Sequence, residues 1–167
     1  MKKVNVVVVS LLFVVGLTVS VEAQQNQGRQ ESDLVKGRAG FMIVGKSLYD
    51  GLSPIDEVEV NEESGIVEIR RGGKLFVRLE VKMEMFASLD YVVKVIHVVD
   101  GKFRTVSGIG VGSTLSDIMA KYPNFVVDKT PDGRWAGTVN ELEMGFWFGQ
   151  MDGQPGAECK VVTVTVQ

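Results

Sequence analysis

One histidine, His97, and one cysteine, Cys159, stand among 167 residues, and that inventory bounds the available chemistry. Zinc and copper sites need two or more imidazole or thiolate ligands, which a single copy of each does not supply. A Ser/His/Asp relay through His97 stays open, although no Gly-x-Ser-x-Gly elbow accompanies it. Cys159 has no partner for an intrachain disulfide and reads as a small apolar residue ahead of the last strand. Gly40–Ser47 formally matches the phosphate-loop pattern G-x-x-x-x-G-K-[ST]. That chemistry needs backbone amides curled around phosphates at the start of a long helix. Here Phe41–Val44 are bulky strand-like residues, and Pro54 cuts short whatever helix follows. No metal and no cofactor are expected.

Carboxylates and aromatics remain. Glu57, Glu59, Glu62 and Glu63 cluster around a turn, and Glu57 and Glu59 share one face of a strand. Paired carboxyls facing one cleft could act as general acid and base. The plainer expectation is a solvated acidic face. Asp128, Asp132 and Asp152 lack the spacing of a dedicated calcium loop. Phe146-Trp147-Phe148 alternates, so Phe146 and Phe148 in the core turn Trp147 outward, with Trp135 on the preceding strand beside it. An exposed pair of indoles is what interfaces and sugar platforms use as anchors. Trp135 and Trp147 are therefore the candidate recognition surface.

The elements that must hold these residues are mostly strands. In Lys74–Met85 the apolar positions Leu75, Val77, Leu79, Val81, Met83 and Met85 alternate with others, the period of a strand with one buried face. The patterns predict further strands over Ile55–Val60, Ile66–Arg71, Tyr91–Val99, Lys102–Val106, Phe125–Asp128, Arg134–Val139, Leu142–Phe148 and Val161–Val166. Gly72-Gly73 and Asp100-Gly101 read as tight hairpin turns. One segment has helical period: Leu115, Ile118, Met119 and Tyr122 form an apolar stripe, Thr114 and Asp117 resemble a capping box, and Pro123 ends it. The predicted fold class is α+β, an antiparallel meander sheet with one or two short helices on one face.

Lys2 and Lys3 precede an apolar run from Val4 to Val19, and Val21-Glu22-Ala23 has the small residues of an export cleavage site. Residues 1–23 are expected to be a signal peptide, 24–40 a flexible tether rich in Gln, Gly and charge, and 41–167 a single domain. No transmembrane span is expected after cleavage, and the location is periplasmic or secreted. A net charge of −3 is the wrong sign for gripping phosphate backbones, so nucleic acid is not an expected partner. Another envelope or secreted protein is. With so little catalytic inventory, the chain reads as a non-enzymatic binding or envelope-associated module. The alternative is a carboxylate-based enzyme or carbohydrate-binding protein of the periplasm.

An internal pattern is superimposed on this. Val44-Gly45-Lys46-Ser47-Leu48-Tyr49-Asp50 and Val111-Gly112-Ser113-Thr114-Leu115-Ser116-Asp117 share Val-Gly-x-[Ser/Thr]-Leu-x-Asp. Each reads as a strand end, a glycine turn, a hydroxyl cap (Ser47, Thr114) and a capping Asp (Asp50, Asp117). The repeat units would be 41–106 and 107–167, arising by duplication or by convergence on a common junction. The segment Thr105–Leu115, with its Gly108-Ile109-Gly110-Val111-Gly112-Ser113-Thr114 core, resembles a strand–turn–helix junction of small exported bacterial proteins of unknown function. More distantly the repeated unit is similar to helix-plus-sheet modules of the β-lactamase inhibitor protein and of the SmpA/OmlA envelope family. The resemblance implies a helix-plus-sheet fold and assigns structural turn and cap roles to Gly45, Ser47, Asp50, Gly112, Thr114 and Asp117. The lone Cys159 provides neither the disulfides of the inhibitor family nor the lipidated cysteine of the envelope family.

Overall fold

The computed structural model describes residues 32–85 and 89–167. The expected signal peptide and residues 24–31 of the expected tether lie outside the described residues. The tether is shorter than expected at its far end. Strands β1 (Leu34–Val35), β2 (Arg38–Ala39) and β3 (Met42–Ile43) form a small antiparallel sheet, and Leu34 and Ala39 are buried in the core. Burial of the apolar side chains of Leu34 and Ala39 opposes the conformational entropy lost on ordering the segment.

Eight strands make the main sheet: β4 (Asp56–Asn61), β5 (Ile66–Arg71), β6 (Lys74–Met85), β7 (Leu89–Val98), β8 (Asp128–Lys129), β9 (Arg134–Val139), β10 (Met144–Gln150) and β11 (Thr163–Val166). Their spatial order is β4-β5-β6-β7-β11-β10-β9-β8, with every neighbouring pair antiparallel. Two four-strand meanders therefore meet through their last strands. The period-2 pattern sorts the faces as expected: Val67, Ile69, Val77, Leu79, Ile96, Val98, Met144, Phe146, Val164 and Val166 are buried on one side. The helix α1 (Leu115–Lys121) lays Leu115 and Ile118 into that same core.

The segment Lys102–Val106 is not a strand beside β7, because β11 occupies that position. Asp100 instead turns the chain out of the sheet, its Oδ1 accepting from the Lys102 amide at 2.9 Å, and Arg104 bridges to Asp33. The first of the two expected helices is reduced to a four-residue 3-10 turn, Leu48–Gly51. Ser47 accepts there from the Tyr49 amide at 3.2 Å but donates to Asp90 at 2.8 Å, so the reciprocal capping role expected of Asp50 is not taken up. In α1 the full box forms: Asp117 N–H donates to Thr114 Oγ1 and Thr114 N–H donates to Asp117. Hydrogen bonding from the Thr114 amide foremost, and then from the Thr114 side chain, holds the Asp117 carboxyl below its ordinary value.

The two junctions dock identically. Gly45 N–H donates to Val93 O at 2.7 Å and Val93 N–H to Lys46 O at 3.0 Å; Gly112 N–H donates to Val161 O at 2.8 Å and Val161 N–H to Ser113 O at 2.9 Å. Gly45 and Gly112 have φ of 81° and 89°, and a Cβ on either would meet nothing, so backbone conformation rather than space demands glycine. Val93 and Val161 are thus equivalent, and four residues further along each strand lie His97 and Thr165, which pair with each other where β7 meets β11. Arg78 faces His97 from β6, and Gly145 faces Thr165 from β10.

Candidate binding site on the open face

The face of the sheet turned away from α1 carries one continuous row of directly paired residues: Glu68, Arg78, His97, Thr165, Gly145 and Thr138, from β5 across to β9. Its first half is closed by ion pairs. Glu68 Oε1 takes Arg78 Nη2 at 2.6 Å and Glu68 Oε2 takes Arg70 Nη2 at 2.6 Å. The Arg78 bond, ahead of the charges of both arginines, holds the Glu68 carboxyl below its ordinary value against the opposing effect of burial.

The centre is a directed chain of hydrogen bonds. Trp147 Nε1 donates to Thr165 Oγ1 at 2.8 Å, Thr165 Oγ1 lies 3.1 Å from His97 Nδ1, and His97 Nε2 lies 2.7 Å from Glu80 Oε1. A carboxylate only accepts, so Nε2 donates to Glu80; with the second ring nitrogen bare, Nδ1 accepts from the Thr165 hydroxyl. The sequence left a Ser/His/Asp relay open. The structure pairs His97 with Glu80 and a threonine hydroxyl instead, the three coming from β6, β7 and β11. Thr165 is 4% exposed, and its hydroxyl is engaged by both Trp147 and His97.

The second half of the row is open because Gly145 has no side chain where its equivalent, Arg78, has a long one. A Cβ on Gly145 would lie 3.3 Å from Trp147 Nε1 and 3.7 Å from Thr165 Cβ. The indole leans over the glycine to reach Thr165. Beside it a pocket of about 280 Å³ opens, lined by Thr138, Asn140, Glu143, Gly145, Trp147, Thr165 and Gln167. Glu143 sits on the rim with φ of 51°, the left-handed conformation that a residue with a Cβ adopts at a cost. Its Oε1 pairs with Lys36 Nζ at 2.5 Å. The Arg134 guanidinium covers one indole face of Trp147 at 4.3 Å, and is itself held by Asp132. Hydrogen bonds from Arg134 and then Thr130 pull the Asp132 carboxyl down to about 2.

The two tryptophans do not form one surface. Trp147 pairs with Ala136, so Trp135 points to the opposite face, where it packs against the core cluster with Nε1 buried and without a hydrogen-bond partner. The correction is one of register: alternation along each strand was legible, but which residue of β9 faces Trp147 depends on the turn Asn140–Glu143. Thr165 and Gly145 were missed. A glycine inside an aromatic strand was the available signal.

The other candidates lie elsewhere. Glu57 accepts from the Gly73 amide at 3.2 Å and Glu59 sits opposite Glu68 near the β4 edge, neither lining the pocket. In the formal phosphate-loop segment, Met42 and Ile43 form a strand and only the short 3-10 turn follows. Cys159 is half-buried, with Sγ 4.0 Å from Met151 Sδ. Among the described residues there is no group of three or more His, Cys, Asp or Glu placed to hold a metal ion, and no helix long and apolar enough to cross a membrane.

No family model matches the sequence, and no curated protein does. The structure is similar to the crystal structure of the uncharacterized protein yfeY from Escherichia coli, with a TM-score of 0.53 and 14% identity over 82% of this chain and 99% of that one. A likeness at that identity speaks for the fold alone.

Proposed function

We propose that this chain is an exported, non-enzymatic binding module of the cell envelope, assembled from two merged copies of one turn-plus-four-strand unit. The export part rests on the Lys2-Lys3 start, the apolar run and the Val21-Glu22-Ala23 site. Duplication is supported by the matched docking of Gly45 on Val93 and Gly112 on Val161, and by the His97–Thr165 pairing, the register two copies related by a two-fold axis would make.

The observation that carries the binding role is a difference between the copies. Equivalent positions hold Arg78, tied into ion pairs, and Gly145, which leaves a pocket walled by Trp147 and hydrogen-bonding side chains. A scaffold held by one core, with one half of its open face sealed and the other hollowed, suits recognition of a ligand. The acid/base alternative would work through Glu57 with Glu59 or Asp128 with Asp132, none of which lines that hollow.

The test is full-length chain produced in a bacterium with a photo-cross-linking residue at Asn140, on the exposed rim. The expected result is processing at the export site and an envelope adduct at Asn140 that disappears when Gly145→Arg fills the hollow. Unprocessed protein left in the cytosol, or turnover abolished by Glu57→Gln/Glu59→Gln, would overturn the reading.

A further inference from the structure

The pocket beside Trp147 also has a chemistry of its own, and this step rests on the binding reading above. We infer that it takes one neutral sugar ring. Its volume, about 280 Å³, lies at the lower limit for small-molecule sites, enough for a single ring and its immediate hydration. Its polar lining besides the engaged Thr165 is hydroxyl and carboxamide, from Thr138, Asn140 and Gln167, groups that both donate and accept. A ring of vicinal hydroxyls needs that double character.

Charge argues the same way. The one ionised lining side chain, Glu143, is compensated by Lys36 at 2.5 Å, and no lysine or arginine lines the pocket. An anionic ligand would meet a carboxylate whose cation, Lys36, is already engaged by it; a cationic one would have to displace Lys36. Burying either charge without a partner is costly, so a neutral ligand is selected.

Trp147 supplies the other half of the match. Its only polar atom, Nε1, is already committed to Thr165, so the indole offers the pocket apolar ring surface and no donor. A pyranose has hydroxyls around its edge and C–H groups on its faces, an amphipathic shape that fits an aromatic wall with a polar rim. An extended peptide would seek an unpaired sheet edge, but this hollow lies on the face of β10, which is paired on both sides by β9 and β11.

The decisive experiment titrates the full chain, in a Trp135→Phe background so that Trp147 alone reports, with uncharged tetrasaccharides of glucose and of N-acetylglucosamine. Oligogalacturonate and inorganic phosphate serve as charged comparisons. Saturable change in Trp147 emission is expected with a neutral oligosaccharide, none with the anions, and a loss of affinity of roughly tenfold or more in Gly145→Arg. Asn140→Ala, which alters only an exposed rim residue, should weaken binding while circular dichroism and thermal melting stay unchanged. No saturation with either neutral sugar by correctly folded protein overturns the inference, as does equal binding by Gly145→Arg or a preference for the anions. If sugars fail while an Asn140 cross-link is still formed and still lost in Gly145→Arg, the sugar is wrong and the binding role stands. If both fail, both readings fall.

Discussion

His97 Nδ1 and Thr165 Oγ1 lie 3.1 Å apart at a rung where the two halves of the main sheet share a side-chain hydrogen bond. Each is braced from its own half, His97 by Glu80 on β6 and Thr165 by Trp147 on β10. The pair joins two meanders whose remaining contacts at this seam are backbone and apolar.

Thr165→Val keeps the shape and removes the hydroxyl, leaving Trp147 Nε1 and His97 Nδ1 without their shared partner. Unsatisfied groups that are largely out of water cost about 1–3 kcal/mol. Urea unfolding should show a loss of that size, with Thr165→Ser close to the parent protein. Equal stability of the Val variant would mean the network contributes nothing net.

Gly110 is fixed by space. A Cβ there would lie 2.1 Å from Phe103 O and 2.7 Å from Arg104 Nη1, and Arg104 donates from that same atom to Phe103 O and Val111 O. Gly110→Ala should destabilise by about 1–3 kcal/mol or more through overpacking. Gly153→Ala, with nothing within 4 Å, should stay within about 0.5 kcal/mol of the parent. Thermal melting of the two variants side by side checks both.

Thr114→Ala removes the hydroxyl that caps α1 and should cost about 1 kcal/mol. Ser47→Ala also breaks the bond to Asp90 on β7, so its loss should be at least as large despite the shorter helix. Denaturation midpoints in the opposite order would show that the 3-10 turn is held by Leu48 burial alone.

Glu68 carries an acid-side dependence. Its folded carboxyl titrates below the ordinary value of 4.5, so its stabilisation is complete above that value and is lost as the pH falls through the lowered one. Glu68→Gln should flatten the stability profile below about pH 4.5, and the difference should shrink with added salt because Arg78 is partly exposed. An unchanged acid limb would assign that loss to other carboxylates.

Local pattern was legible where one residue type answers one physical demand. The strand expected over Lys74–Met85 returned as β6 with the same bounds, Val77 and Leu79 buried though Met83 is exposed beyond the Glu80/Val81 bulge, Gly72-Gly73 as the turn after β5, and Thr114 with Asp117 as the cap of α1. What failed depended on partners distant in sequence. Lys102–Val106 has strand-like residues, but β11 takes the place beside β7. Trp135 and Trp147 were expected side by side and are separated by the sheet, because the register of β9 on β10 follows from the Asn140–Glu143 turn. The pocket was hidden for the same reason: Thr165, Gly145 and Asn140 become neighbours only after β11 has paired with β10.

The seam between β7 and β11 spans three residue pairs, Val98 with Val164, His97 with Thr165 and Ile96 with Val166. At the outer rims the sheet is guarded: β4 carries Asp56, Glu57 and Glu59, and β8 has only two residues. The seam strands are instead rich in Val, Ile and Thr, so parting them would bare two unprotected edges of the composition that most readily recruits strands from other molecules. Self-association in this protein should therefore start from its middle, by exchange of half-sheets between chains, while its natural edges stay inert.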